Sequence, residues 1–276
     1  MLPFHFSGIG IDYDQGGAAL VKGAPNAIGQ SFPYKLNNGK VCCGSSIHPV
    51  TLLGAGTFGA LVQDSDENLY GLSNNHVTGM CNSAPPGFPI LCPGPLDASE
   101  EHLSPFTIGR HSRLLPINDG IPENVDISTN WDAAVFDIED QQRVCSMQGD
   151  RYDTPEQVAE PVPGMRVEKF GRTTGFTAGT IRVETASPIP VSYNVREMGI
   201  SKKVFFEKAF LVEGDNAQPF SAAGDSGSLV VGYDQEGNRL AVGIVFAGDG
   251  RNRSFILSLP VILQKLGVSL VSGHNL

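Results

Sequence analysis

Basic residues are scarce in this chain: 19 Lys and Arg stand against 29 Asp and Glu, a formal net charge of −10 over 276 residues. Neutralising a nucleic-acid backbone takes a concentrated cationic surface. No stretch of the sequence supplies one, so neither nucleic acid nor an anionic membrane is an expected partner. Long apolar runs are missing as well. Nothing approaches the roughly 18 apolar residues of a spanning helix, and the opening MLPFHFSGIG has neither the basic leader nor the apolar stretch of a secretory signal. The expected location is cytoplasmic. Cysteine is sparse and odd in number: there are five, with Cys42 and Cys43 adjacent, where side chains diverge along an extended chain. Reduced, structural thiols are expected, with Cys81 and Cys92 as a pair that an oxidising compartment could join. Neither C-x-x-C nor clustered His spacing is present, so no metal and no cofactor is implied.

What is plentiful is glycine and proline, 33 and 19 residues, which favours many short strands joined by tight turns and hence an all-β class. TFGALVQD, the turn DSDEN and LYGLSNNHV read as a hairpin, with His76 at the end of its second strand. Residues 82–125 carry PPGFP, CPGP and NDGIPEN and are expected to form a long irregular excursion. WDAAVFDI follows as a buried strand. The polar, proline-bearing stretch 146–164 is the best linker, which divides the chain into a segment 1–50 of unassigned role, a first unit 51–152 and a second unit 153–276. In the second unit, MRVEKFGRTTGFTAGTIRVET predicts two strands about a turn, and LVVGY and LAVGIVFAG a hairpin. LSLPVILQKLGVSL predicts a short terminal helix, begun at Pro260, presenting Ile262, Leu263 and Leu266 on one face and stopped at Gly267.

A hydroxyl becomes a nucleophile at neutral pH when a neighbouring base removes its proton, and that base works best when a buried carboxylate fixes its tautomer. Ser226 lies in GDSGS, where Gly224 and Gly227 permit a tight turn that exposes Oγ and lets the amides of Gly224 and Ser226 converge on an oxyanion. His76 sits beside a Gly-bearing turn. A lone His is ordinarily a satisfied core or surface residue, but the other five have no comparable setting. Asp132 enters the apolar run DAAVF, where a carboxylate is costly to bury unless its charge is met. In isolation it reads equally as a solvated strand-start residue. Asp137 competes with it, five residues along a strand and so on the opposite face. The chain order His, Asp, Ser excludes an α/β-hydrolase, which needs its Ser first.

With NNHV, DAAVF and GDSGS in place, the sequence resembles the trypsin-like (chymotrypsin-fold) serine peptidases. More closely it resembles their branch containing the plant Narrow leaf protein, through AGTFGALVQDSDENLYGLSNNHV, GRTTGFTAGTI, GDSGSLVV and GIVFAG. The resemblance implies two antiparallel six-stranded β-barrels with a C-terminal helix, and a catalytic triad of His76 (base and acid), Asp132 (orienting carboxylate) and Ser226 (nucleophile). Gly224 and Ser226 would form the oxyanion hole. Asp225 matches the acid that, in digestive relatives, pairs with an N-terminus released by activation. No activation segment is recognisable, which implies activity without cleavage or another regulation. Phe220 stands where relatives carry the floor of the primary pocket. Phe246, Ala247 and Gly248 match the segment that pairs with substrate along one wall, with Asp249 near its mouth, and a small or medium apolar side chain is the expected preference. Val77 replaces the Cys that secreted members place after the His.

The implied reaction is hydrolysis of a polypeptide by a serine endopeptidase. A non-catalytic interaction module on the same fold, and an esterase using the same triad, are the competing readings. Gly171, Gly175 and Gly179 are expected to serve a turn and bulge, and Arg172 to be a structural or surface cation. A homo-oligomer is compatible with the sequence, which does not encode the state legibly.

Overall fold

The computed structural model describes residues 35–50, 54–98, 106–195, 199–249 and 252–276, and the backbone strand 12–14; the remainder of segment 1–50 lies outside the described residues. The short strands demanded by the Gly and Pro content follow one another as β1 (Asp12–Asp14), β2 (Leu36–Asn37), β3 (Lys40–Cys43), β4 (Ser46–Pro49), β5 (Gly56–Thr57), β6 (Ala60–Gln63) and β7 (Leu69–Ser73). The one-turn helix α1 (Asn75–Thr78) comes next, then β8 (Pro89–Cys92), β9 (Phe106–Leu114), β10 (Ala134–Ile138), β11 (Val144–Gln148) and β12 (Tyr152–Asp153). The second half runs β13 (Arg166–Gly171), β14 (Gly175–Glu184), β15 (Ile189–Val195), β16 (Ile200–Phe206), β17 (Phe210–Gly214), β18 (Leu229–Tyr233), β19 (Arg239–Gly248), β20 (Arg253–Ser258), α2 (Leu259–Leu266) and β21 (Ser269–Leu270).

Six of these strands close a barrel in the order β13-β14-β17-β20-β19-β18. The first half curls from an eight-stranded sheet, β21-β6-β7-β10-β9-β8-β4-β5, beside a four-stranded one, β12-β11-β3-β2. This is the all-β double-barrel architecture with a short terminal helix. Pairing is antiparallel except between β3 and β11 and between β1 and β15. Among the described residues no helix is long and apolar enough to cross a membrane.

Composition misled in one stretch. Residues 82–125 contain β8 and the nine-residue β9, which pairs with both β8 and β10. The prolines do not interfere because Pro89 opens β8, a position where no ladder donor is lost, and the others among the described residues fall outside the strands. Residues 36–49 supply β2 to β4 to the first half, and β21 crosses back from the C-terminus to pair with β6, Leu270 opposite Val62. All five cysteines are buried and unbridged. Cys42 on β3 faces Cys145 on β11, their sulfurs 3.5 Å apart.

Three apolar clusters hold this together. Phe58, Leu61, Ile90 and Phe136 fill the first half, with the Phe58 and Phe136 rings 5.8 Å apart. Val167, Ile181, Val212 and Ile256 fill the closed barrel. A third cluster joins the halves, running from Val62, Leu72 and Val135 to Leu229, Ile244 and the buried face of α2, Leu259, Ile262, Leu263 and Leu266. The helix begins with Pro in its first turn and ends at Gly267 in the left-handed conformation, as its sequence predicts.

His111 on β9 is 2% exposed and its Nδ1 has no hydrogen-bond partner among the described residues. Burial lowers its pKa below the usual 6.5, so the unfolded chain binds this proton first as pH falls. Stability should therefore decline below about pH 6.5, by at most about 1.4 kcal/mol per pH unit from this residue. Urea unfolding at pH 7.5 and 5.5 checks it: His111→Gln should show a smaller loss than the wild type.

Candidate active site

The β6–β7 hairpin turns on Asp64, whose carboxylate accepts the amides of Asp66 and Asn68, each at 3.0 Å. The chain leaving β7 does not continue as strand to His76 but bends into α1, so His76 stands on a single helical turn. Two asparagines pin that turn. Asn74 donates from Nδ2 to the Asp132 carbonyl at 2.5 Å, and Asn75 donates to the Leu115 carbonyl at 2.7 Å and to Asn82 Oδ1 at 2.6 Å.

Asp132 lies two residues before β10 with no exposure to solvent. Its Oδ1 accepts the His76 backbone N–H at 2.9 Å, and its Oδ2 lies 2.5 Å from His76 Nδ1 and accepts the Tyr193 hydroxyl at 2.8 Å. A buried carboxylate left uncompensated costs several kcal/mol, and these three donors meet that cost. Since an ionised carboxylate only accepts, the proton between them belongs to Nδ1, and Nε2 is left as the basic nitrogen. Asp137, the competitor in sequence, is exposed.

Ser226 occupies a turn between Gly224 and Gly227, at φ +95° and +97°. At Gly227 a Cβ would sit 2.3 Å from the Thr57 carbonyl and 2.4 Å from Ser73 Oγ, so only glycine lets the loop approach the first half this closely. The Ser226 carbonyl accepts the Thr57 amide at 2.8 Å, and the Gly227 amide donates to the Val245 carbonyl at 2.9 Å. Ser226 Oγ itself is buried and has no hydrogen-bond partner among the described residues.

Asp225, beside it, is a second fully buried carboxylate. It accepts the amides of Thr173 (2.8 Å), Thr174 (3.2 Å) and Ala222 (2.9 Å) and the Thr174 hydroxyl (2.7 Å). Lys169 Nζ lies 3.5 Å away, with both side chains at 0% exposure, and donates to Thr174 Oγ1 and the Gly175 carbonyl. Desolvation pulls the Lys169 pKa down from 10.5, and the charge of Asp225 opposes that shift. The GRTTG stretch thus forms the β13–β14 turn whose amides cradle Asp225. Arg172 forks onto Asp97, Nε to Oδ2 at 2.6 Å, as a cation tying the halves together.

The other sequence candidates line the second half and its junction with the first. Phe220 is fully buried in the core of the closed barrel, while Phe246 is fully buried in the cluster joining the halves, edge-on to Phe206 at 4.7 Å. Ala247 is buried in that same cluster, and Gly248 lies opposite Ser254 on β20. Ser254 Oγ is 2.6 Å from Ser221 Oγ, linking this wall to the loop before Ser226. Sequence reading passed over Tyr193 and Lys169. Lys169 shares one period-2 face of β13 with Val167, but every residue from Val167 to Gly171 is buried, so alternation does not single it out. Nothing local marks Tyr193.

A family model for the Nal1 C-terminal domain matches residues 151–262. Protein NARROW LEAF 1 of Oryza sativa subsp. japonica is 35% identical over 86 residues, a match spanning 31% of this chain and only 13% of that protein. Among solved structures, Thermobifida fusca Protease A is similar with a TM-score of 0.52 at 15% identity, covering 84% of this chain and 98% of that one. Cellulomonas bogoriensis chymotrypsin is similar at 0.51 and 16%, with the same coverage. These likenesses show the chymotrypsin-like fold.

Removing Lys169 leaves Asp225 buried and unpaired by charge. Lys169→Met should lose about 3–5 kcal/mol in chemical denaturation, and Lys169→Arg markedly less. A loss below about 1 kcal/mol in Lys169→Met would show that the backbone cradle alone carries the charge.

Proposed function

We propose that this chain is a serine endopeptidase that hydrolyses polypeptides through an acyl-enzyme on Ser226. The observation that carries the reading is the fully buried Asp132 holding His76 Nδ1 at 2.5 Å, while the buried Ser226 Oγ has no hydrogen-bond partner among the described residues. In this reading His76 Nε2 takes the Ser226 proton as Oγ attacks a peptide carbonyl, and returns it to the leaving amine. Asp132 keeps the imidazole in the required tautomer and stabilises the imidazolium that forms. The amides of Gly224 and Ser226 receive the oxyanion, in a loop that Gly227 and Asp225 fix beforehand and that needs no rearrangement during reaction. Water then repeats the sequence on the ester.

The reading assigns His76 and Asp132 to the unit 51–152 and Ser226 to the unit 153–276, with substrate bound between them. Phe220 supplies no carboxylate for a basic side chain, so the proposed preference is for a small or medium apolar residue before the scissile bond, against the wall ending at Gly248. The Lys169–Asp225 pair supports activity without proteolytic activation, since the acid preceding the nucleophile already has an internal cation. The cytoplasm is the proposed location, and neither metal nor cofactor takes part in this chemistry.

Labelling with a fluorophosphonate probe, followed by cleavage of a peptide library, tests the proposal. The wild type should label at Ser226 and cleave peptide amides, and Ser226→Ala should not label and should lose about 10³-fold or more in turnover. Hydrolysis confined to activated esters would favour an esterase, and a folded wild type that does not label would favour an interaction module.

A further inference from the structure

The hairpin β15–β16 falls between β14 and β17 in the chain yet is no part of the closed barrel those strands build. It forms a separate three-stranded sheet with β1, in which Tyr13 pairs with Tyr193. Its contacts reach into the first half. Lys202 Nζ donates to the Cys81 carbonyl at 2.6 Å, Asn130 Nδ2 to the Phe205 carbonyl at 2.9 Å, and the Lys203 amide to Asp119 Oδ1 at 2.6 Å. Cys81 follows α1, and Asn130 lies two residues before Asp132, so the hairpin grips both segments that bear the His–Asp pair. From the middle of β15, Tyr193 delivers its hydroxyl to Asp132 Oδ2 at 2.8 Å and its ring to within 5.3 Å of the His76 ring, at 40°. It is 3% exposed.

We infer that Tyr193 is a positioning residue for the His76–Asp132 pair. This rests on the reading of His76 as the base. One carboxylate oxygen, Oδ2, receives both the phenol and the imidazole, so the two hydrogen bonds compete for the same electron density and the strength of one depends on the other. With the His76 amide on Oδ1 and the phenol on Oδ2, the carboxylate has no freedom to rotate. The tilted phenol ring likewise limits how far the imidazole can swing from Asp132. A base held this way stays aligned with its nucleophile, and small misplacements of such groups are costly in rate.

Tyr193→Phe keeps the ring and deletes the donor. Its kcat should fall about tenfold, the loss of roughly one such hydrogen bond, with KM within twofold of wild type. The NMR resonance of the His76 Nδ1 proton gives a readout independent of turnover. It should move downfield in Tyr193→Phe, because Oδ2 is then left to the imidazole. Difluorotyrosine at position 193, a stronger donor of nearly the same shape, should move it upfield, and it decides the matter if Tyr193→Phe folds poorly. An unmoved resonance in a folded variant, with kcat within twofold, overturns the inference and leaves Tyr193 as packing. Should the wild type show no probe labelling and no turnover, it is the catalytic reading that fails, and the resonance still decides whether Tyr193 positions the pair.

Discussion

Asp132 is a carboxylate with no exposure to solvent, and the local structure around it is arranged to supply it with hydrogen-bond donors. Its partners come from segments far apart in the chain: the amide and imidazole of His76 on α1, the phenol of Tyr193 on β15, and the Asn74 amide on its own carbonyl. Each brings an element with it. The bend that ends β7 in α1, the docking of the β15–β16 hairpin and the approach to β10 all converge on this carboxylate. Asp225 poses the same problem under the Ser226 loop and is met differently, by a fully buried Lys169 and three backbone amides. An amide, an imidazole and a phenol meet the first acid. The Lys169 amine, 3.5 Å from the carboxylate, meets the second.

Between these two acids Thr57 acts as a clasp. Its amide donates to the Ser226 carbonyl, its hydroxyl donates to the Gly224 carbonyl at 2.8 Å and accepts the Arg172 amide at 3.1 Å, and its own carbonyl accepts Ser73 Oγ at 2.8 Å. One residue of the first half thus holds both the loop bearing Ser226 and the strand leading to His76. The apolar cluster running from Val62 and Leu72 to Leu229 and α2 supplies the bulk attraction between the halves, and Thr57 with the Arg172–Asp97 fork sets their register. A shift of either half would be felt at the site at once, which suits chemistry that depends on fixed distances.

What could be read from sequence was what is locally encoded. The hairpin at DSDEN, the β18–β19 hairpin and the capped helix α2 follow from turn chemistry and periodicity over a few residues. GDSGS announced a tight turn because its glycines must take positive φ, and NNHV and DAAVF pointed at residues that the structure brings within 2.5 Å. What escaped was long-range. Composition made residues 82–125 appear irregular because the prolines of the stretch were averaged with the strand FTIGRHSRL. His76 was placed on a strand end because a single helical turn has no periodicity to detect. Tyr193 is one inward residue of an alternating strand, and only the docking of its hairpin, through Lys202, Lys203 and the Phe205 carbonyl, brings it to Asp132. Phe220 and Phe246 were read through resemblance as pocket residues, and each ring is fully buried, one in the core of the closed barrel and one in the cluster joining the halves.

The central claim is that this buried carboxylate, the imidazole and Ser226 form one acyl-transfer site. A crystal structure with a peptidyl boronic acid tests it most directly, because a boronate bonded to a serine oxygen reproduces the tetrahedral state of acyl transfer. The account predicts boron bonded to Ser226 Oγ, one boronate oxygen about 2.7–3.1 Å from the Gly224 and Ser226 amides, and His76 still bound to Asp132. Boron on any other residue, or an empty site at saturating inhibitor with the loop unchanged, would contradict it.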